Sequence, residues 1–252
     1  MPRSAPGRSR GFTLTELAVV FTIIALLLAA GMYTLSAQIE QRNFEENRRR
    51  LEAARELLFA FAVVNGRLPC PASTTSNGAE SPAGGTCTDY YAGFLPARAI
   101  GFQVTDTNGY GLDAYNNRIR YAVSNVGPNQ HFTTAISLRT NGITIVPSDL
   151  VVCTAWGGST TSCGSATPVT SANLVAAVVW SQGKNFSTVG SGGSSEDANN
   201  KIRLPTPLNN HPVFVWRTPQ PAGAAGGEFD DQMTWITVGE LYGRLVAAAV
   251  LP

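Results

Sequence analysis

An uncharged apolar run from Leu17 to Ile39 constrains this chain more than any other feature of its sequence. As a helix rising about 1.5 Å per residue, the run would extend roughly 35 Å, enough to cross a bilayer core of about 30 Å. Arg3, Arg8 and Arg10 precede it, and no acidic residue lies among them. The positive-inside rule therefore predicts a cytoplasmic N-terminus and places residues 40–252 outside the cytoplasm.

The N-terminal segment differs from an ordinary secretory signal in the order of its parts. A secretory signal places its apolar region before a small-residue cleavage site. Here the candidate processing residue, Gly11, precedes the apolar run, so cleavage would retain the helix. A plain signal anchor explains the hydropathy equally well, but it leaves Glu16 unexplained, because an ionisable group in an apolar span is costly without a partner. A chain beginning at Phe12 would supply a cation, the new α-amino group, which a neighbouring subunit can present to Glu16.

The segment Gly11-Phe-Thr-Leu-Thr-Glu16 resembles the processing signal of type IV prepilins and type II secretion pseudopilins. The resemblance implies that a membrane prepilin peptidase cuts between Gly11 and Phe12 and then methylates the amino group of Phe12. It also implies that Glu16 helps to dock an incoming subunit onto a growing filament. One departure is Tyr33, which stands where many members of the family have a proline.

The same resemblance implies a function: a minor structural subunit of a type IV pilus or a type II secretion pseudopilus, and not an enzyme. The implied partners are the prepilin peptidase, other pilins or pseudopilins, the inner-membrane assembly platform and membrane lipid. The implied location is the inner membrane, as a single-pass protein with a periplasmic C-terminal domain, and afterwards the filament.

Two other classes of function compete with this interpretation. The first is a binding module at a filament tip, an adhesin or substrate-recognition subunit that the helix merely anchors. The second is a membrane-anchored enzyme, for which the sequence offers no recognisable catalytic cluster. Nucleic acid is not an expected partner, because the formal charge is only +1 and the Lys and Arg residues are scattered.

Residues 40–64 continue the helical pattern, with an imperfect apolar stripe and several acid–arginine pairs at helical spacing. Asn65 and Gly66 are predicted to end the helix, and Pro69 prevents its resumption. The sequence thus predicts four parts: a cleaved leader at 1–11, a transmembrane half of the helix at 12–39, an amphipathic half at 40–66, and a globular β-rich domain at 67–252.

The remaining sequence predicts an α+β fold, in which the long N-terminal helix packs on an antiparallel sheet elaborated by disulfide-closed loops. The final stretch, Asp231–Leu251, has apolar residues at helical spacing and is predicted to be an amphipathic helix or a helical turn. The candidate strands are Arg118–Val123, Phe132–Leu138, Ile143–Val146, Leu174–Trp180 and Val213–Trp216.

Four cysteines bracket two loop segments that are rich in small and polar residues. Cys70 and Cys87 enclose one segment, and Cys153 and Cys163 enclose the other. Neither pair has the close spacing of a zinc site, and the chain has only two histidines. Of three possible connectivities, the two sequence-local pairings are favoured because each closes a flexible loop. Four buried free thiols are the alternative, and disulfides would require an oxidising compartment.

The segment 106–113, Asp-Thr-Asn-Gly-Tyr-Gly-Leu-Asp, is rich in potential oxygen ligands. An EF-hand-type loop would need a side-chain oxygen at Tyr110 and a bidentate acid at Asn117, and both are missing. A Gly/Asn turn before a strand is therefore the favoured interpretation. Asp106 and Asp113 are kept as candidates for a structural calcium site because some major pseudopilins bind calcium. No other cofactor is expected.

The processing hypothesis makes a direct prediction about the mature N-terminus. Mass spectrometry of the native protein should find Phe12 as the first residue, bearing one methyl group. Gly11→Ala should slow cleavage and Gly11→Leu should abolish it, because the peptidase must accommodate the residue before the cut. A native protein that starts at Met1, or beyond the apolar run, would contradict the hypothesis.

Overall fold

The computed structural model describes most of the chain in six segments. The predicted leader, with Gly11 and Phe12, and the strand predicted at Ile143–Val146 lie outside them. The chain divides into two compact units, Met1–Phe44 and Glu45–Pro252. The described residues are 13–126, 131–141, 148–186, 200, 211–221 and 223–251, without the side chains of 30–37, 131 and 141.

The first helix, α1, spans Leu14–Asn65. It contains no proline, and its apolar portion is rich in Leu and Ala, which are strong helix formers. Gly66 ends it in the left-handed conformation, with φ of 67°, and donates its backbone N–H to the carbonyl of Ala62 at 2.8 Å. Glycine favours this conformation because it has no Cβ. The predicted helix end is thereby confirmed.

In the second unit, α1 packs one face into the main hydrophobic core. Leu51, Ala54, Leu58 and Ala62, spaced three or four residues apart, are at most 2% exposed. They belong to the same core as buried side chains of the central sheet and of the last helix. Burying a Leu side chain contributes about 1.5–3 kcal/mol, so this stripe is a principal attachment of the helix.

Polar contacts reinforce the attachment along the same part of α1. Arg50 donates from Nη1 to the carbonyl oxygens of Leu112 and Asp113, at 3.3 and 2.6 Å. Arg55 donates from Nε to the carbonyl oxygen of Trp235 at 2.9 Å. Because these acceptors lie far along the chain, the arginines join the helix to a turn and a strand of the globular part.

The sheets consist of five strands: β1 Arg120–Val123, β2 Val151–Cys153, β3 Val175–Ser181, β4 Val213–Val215 and β5 Gln232–Thr237. The central sheet is antiparallel in the order β1-β3-β5, with Tyr121 opposite Val179 and Val178 opposite Trp235. Strands β2 and β4 form a separate parallel pair. The described elements thus confirm the predicted α+β class with an antiparallel sheet.

Strand β3 is buried along its whole length because both faces of the central sheet are covered. Ala177 and Val179 belong to the core that contains the α1 stripe. Val178 and Trp180 belong to a second core, together with Phe214 of the β2–β4 pair. The globular unit is therefore layered, with helices on one face of the central sheet and the parallel pair on the other.

The strand predicted at Phe132–Leu138 is wrong. The chain there forms a 3-10 turn at His131–Thr133 and a short helix, α3, at Ala135–Asn141, following the short helix α2 at Ala97–Ile100. A strand would place Phe132, Ile136 and Leu138 on one face. The helical path instead buries Phe132 and Leu138 in the main core and leaves Ile136 76% exposed.

The helix predicted at Asp231–Leu251 is correct only in its second part. Its first part is β5, which pairs with β3, and helix α4 then spans Val238–Ala247. Thr237 starts this helix through a capping box: its hydroxyl accepts from the backbone N–H of Glu240 at 3.1 Å, and Glu240 accepts from the backbone N–H of Thr237 at 3.2 Å. Pairing with the central sheet overrides the helical spacing before that point.

Both sequence-local disulfides are present, which confirms the predicted connectivity. Cys70–Cys87 joins residues 17 positions apart and closes a loop after α1. Cys153–Cys163 joins residues 10 positions apart and closes a loop after β2. All four sulfur-bearing side chains are at least nine-tenths buried. Each bridge therefore anchors a loop that has little regular structure to a hydrophobic core.

Removing either disulfide is expected to lower the free energy of unfolding by about 3 kcal/mol, since loop closure restricts the unfolded chain. The variants are Cys70→Ala with Cys87→Ala, and Cys153→Ala with Cys163→Ala. Urea unfolding of the full chain in detergent, followed by tryptophan fluorescence, measures the loss. Reduction of the wild-type protein should reproduce it, and a change below about 1 kcal/mol in either double variant would contradict the prediction.

Candidate functional site

The predicted assembly residue, Glu16, lies in the first turn of α1 and is bound by Thr13. The backbone N–H of Thr13 donates to Glu16 Oε2 at 2.9 Å, and the Thr13 hydroxyl donates to the same oxygen at 2.8 Å. The backbone N–H of Glu16 in turn lies 3.3 Å from the Thr13 hydroxyl oxygen. This reciprocal pattern is a capping box, and it satisfies backbone donors that the helix start would otherwise leave unpaired.

The role of Thr13 was missed in the interpretation of the sequence, which treated Glu16 only as an assembly residue. A recognisable signal exists, because Thr13 and Glu16 have the spacing S/T-x-x-E that precedes an apolar helix. Both bonds to the carboxylate use Oε2, and Glu16 Oε1 has no partner among the described residues. Glu16 thus stabilises its own helix through one carboxylate oxygen, and the described residues leave the other oxygen available.

The helix that follows exposes large apolar side chains around most of its circumference. Small residues at positions 15, 18, 22, 25 and 29 occupy the remaining strip. The hydroxyl of Thr22 donates to the carbonyl of Ala18 at 2.8 Å, so it needs no external partner. The exposed side chains are Leu14, Leu17, Val19, Val20, Phe21, Ile23, Ile24, Leu26, Leu27 and Leu28, each 45–86% exposed.

A surface helix in a soluble domain has one apolar stripe, whereas this helix is apolar on nearly all sides. Such a surface requires lipid or other apolar protein surface around it. Over the part of the chain that the structure describes, no helix combines the length and the apolarity needed to span a membrane.

The first calcium candidate, Asp106, is fully engaged by protein donors. Its Oδ1 accepts from the backbone N–H groups of Asn108 and Tyr110, both at 2.9 Å, and its Oδ2 accepts from Arg118 at 2.8 Å. Burial acts to raise the pKa of Asp106, but these donors and the guanidinium outweigh it and hold the pKa below its usual value. A carboxylate bound in this way stabilises the turn and does not suit a cation.

The second candidate, Asp113, is buried and similarly occupied. Its Oδ1 accepts from the backbone N–H groups of Tyr115 and Asn117, at 2.9 and 2.7 Å, and its Oδ2 accepts from the Ser181 hydroxyl at 2.6 Å. Burial raises the pKa of this carboxyl, against the effect of its donors. Among the described residues, no group of three His, Cys, Asp or Glu side chains could hold a metal ion. The arrangement does not fit the proposed calcium site.

The comparison with protein families gives the deciding observation: residues 6–32 match the prokaryotic N-terminal methylation motif. The chain carries a type IV prepilin signal. The match covers residues 6–11 of the predicted leader and continues into α1 as far as residue 32, so it includes Gly11, Phe12 and Glu16. No curated protein and no solved structure matches the chain.

The similarity to pilin-like proteins thus rests on the motif and on the arrangement that follows it. The motif is the N-terminal signal found in type IV pilins and pseudopilins, and it supports a pilin-like interpretation of the chain. The globular unit provides the expected α+β setting, a helix attached to an antiparallel sheet.

The capping box predicts distinct effects for Thr13→Ser and Thr13→Val in this pilin-like protein. Losing an N-cap costs about 1 kcal/mol, so Thr13→Val should accelerate amide hydrogen exchange of the first helical turn by about fivefold. Thr13→Ser keeps the hydroxyl and should exchange like the wild type. Exchange measured by mass spectrometry on the full chain in detergent tests this, and equal rates for Thr13→Val and wild type would contradict the capping role.

Proposed function

We propose that this protein is a minor structural subunit of a type IV pilus or a type II secretion pseudopilus. A prepilin peptidase removes residues 1–11, and the protein then assembles through α1 into the filament. The observation that carries the proposal is the set of ten exposed apolar side chains between Leu14 and Leu28, which lie within the segment that matches the methylation motif. Burying apolar surface of this kind against other helices would stabilise the assembly by about 25 cal/mol for each Å² removed from water.

Before assembly, lipid is the environment that suits this helix. The sequence from Leu17 to Ile39 has no charged residue, and three arginines precede it. This pattern favours insertion in the inner membrane with the N-terminus in the cytoplasm and the globular domain in the periplasm. Two disulfides in the globular domain are consistent with that oxidising compartment.

During assembly, neighbouring helices replace the lipid. The strip of small residues, which includes Thr15, Ala18 and Ala25, would let another helix approach closely, as small residues do in membrane helix pairs. Glu16 Oε1 has no partner among the described residues. It would accept a hydrogen bond from the α-amino group of Phe12 in a neighbouring subunit. In a low-dielectric interior such a charge pair is stronger than in water.

The size of the globular part favours a subunit of low copy number. Two long loops, residues 71–93 and 154–172, lie outside the regular strands and helices, and each contains a disulfide cysteine. Loops of this size would crowd a densely packed shaft. The partners in this proposal are the peptidase, the inner-membrane assembly platform and the major subunit of the filament.

The proposal is tested by co-assembly with the cognate major subunit, followed by shearing and immunoblotting. Glu16→Gln preserves a side chain that can complete the capping box but removes the charge, so its incorporation should fall at least about tenfold, equivalent to about 1.4 kcal/mol. Glu16→Asp keeps the charge with a shorter reach and should be intermediate. Glu40→Gln, the same change further along α1, should assemble like the wild type.

Membrane insertion and cleavage after Gly11 should be unchanged in all three variants, which separates assembly from processing. Glu16→Gln incorporation equal to that of wild type would show that the charge is not an assembly contact. Loss in Glu40→Gln as well would indicate a general effect of helix charge, which would also contradict the specific role of Glu16.

A further inference from the structure

A cleft in the globular unit has no role in the proposed assembly and has the features of a ligand site. It encloses about 680 Å³, within the range of roughly 300–1,000 Å³ that is typical of small-molecule sites. Tyr91 lies on one side, Ser148 and Asp149 line the approach to β2, and the loop 161–173 and Pro212 complete the wall.

The loop that forms this wall is held to the sheet by several bonds. The Cys153–Cys163 disulfide ties it to the end of β2. The backbone N–H of Thr154 donates to the carbonyl of Thr167, and that of Val169 donates to the carbonyl of Val152, at 2.9 and 2.8 Å. A wall fixed in this way loses little conformational entropy when a ligand binds, which favours recognition of a small molecule.

One polar cluster, formed by Tyr91, Asp149 and Ser124, lies at the cleft. The Ser124 hydroxyl donates to Asp149 Oδ1 at 2.7 Å, and the Asn125 backbone N–H donates to the same oxygen at 3.2 Å. The Tyr91 hydroxyl donates to Asp149 Oδ2. Burial and the adjacent carboxylate raise the pKa of Tyr91, against a hydrogen bond from the Asn125 side chain that lowers it, so the phenol stays protonated. With Asn125 as one donor, the phenol oxygen keeps a second lone pair that can accept a further hydrogen bond.

Two more polar side chains, both on the loop 161–173, line the cleft. The Thr161 hydroxyl and the Asn173 side-chain amide line the cleft and have no hydrogen-bond partner within the described segments. Together with the lone pairs of Tyr91 and Asp149, they offer both donors and acceptors. A ligand with several hydroxyl groups would satisfy all four, whereas a purely apolar ligand would leave them desolvated and unpaired.

The charges at the cleft restrict the ligand further. None of its described lining residues is Lys, Arg or His, and Asp149 is the one acid. An anionic ligand would be repelled and would find no counter-charge. Three donors already form hydrogen bonds to the Asp149 carboxylate and stabilise it, so a cationic ligand is not required to neutralise it.

We propose that this cleft binds an uncharged saccharide. Tyr91 and Asp149 accept hydrogen bonds from some of the sugar hydroxyls, while Thr161 and Asn173 bind others. The apolar faces of Ala166, Pro168 and Pro212 pack against the C–H surface of the sugar ring. The site lies in the globular unit and does not depend on the proposed assembly through α1.

Saturation-transfer NMR on the full chain, in a detergent without a sugar headgroup, tests the proposal. The neutral probes are glucose, galactose, mannose, N-acetylglucosamine and their disaccharides at millimolar concentration. Glucosamine and glucuronate serve as charged counterparts of glucose that share its ring. At least one neutral sugar should show saturation transfer, and neither charged counterpart should bind more tightly than its neutral form.

Two variants locate the binding in the cleft. Thr161→Val removes one hydroxyl at an exposed position, and Tyr91→Phe removes the phenolic oxygen; each should weaken binding about two- to tenfold, the effect of one hydrogen bond. Thr160→Val, a matched change next to the cleft, should bind like the wild type. Thermal unfolding should show that Thr161→Val remains folded.

Three results would overturn the proposal. The first is the absence of saturation transfer with every neutral sugar of the panel. The second is tighter binding of glucosamine or glucuronate than of glucose, which would identify a charged ligand. The third is unchanged binding in both Thr161→Val and Tyr91→Phe, which would place the sugar elsewhere on the protein.

Discussion

The packing of the second half of α1 into the main core is the interaction on which the globular unit depends. Leu51, Ala54, Leu58 and Ala62 supply one wall of a core whose other walls come from the central sheet and α4. The three-stranded sheet is small, and without this helix one of its faces would lose part of its cover. A sheet of this size gains independent stability only when a helix or a second sheet covers it.

The polar contacts of α1 extend this dependence to the turns. Arg50 binds the carbonyl of Asp113, whose side chain receives the hydroxyl of Ser181 at the end of β3. The helix, the turn and the central strand are therefore connected through one acidic residue. This explains why the carboxylate is buried: it serves as an acceptor for several donors, and burying a charge in that way is less costly than burying it alone.

The two functions inferred for the protein use different parts of the chain with different physical demands. Assembly uses apolar side chains between Leu14 and Leu28, which need no fixed partner geometry until neighbouring helices surround them. The cleft uses a few polar groups that must be fixed in space, and Cys153–Cys163 anchors the loop that presents them. A disulfide is well suited to that task because it covalently fixes a loop that has little regular structure.

The sequence alone determined the properties that depend on near neighbours along the chain. The processing motif, the extent of α1 to Asn65 and the two local disulfides all follow from short spacings and from chemistry within one segment. The capping role of Thr13 belongs to the same class and could have been predicted from its spacing to Glu16.

Only the tertiary structure decided which segments become strands and where polar side chains converge. The segment Phe132–Leu138 alternates like a strand, but burial of both ends in one core makes it helical. The start of Asp231–Leu251 has apolar residues at helical spacing, yet its pairing with β3 makes it strand β5. Asp149 meets Tyr91 across 58 residues of sequence. Contacts at such separations depend on how the layers pack, and local patterns do not contain that information.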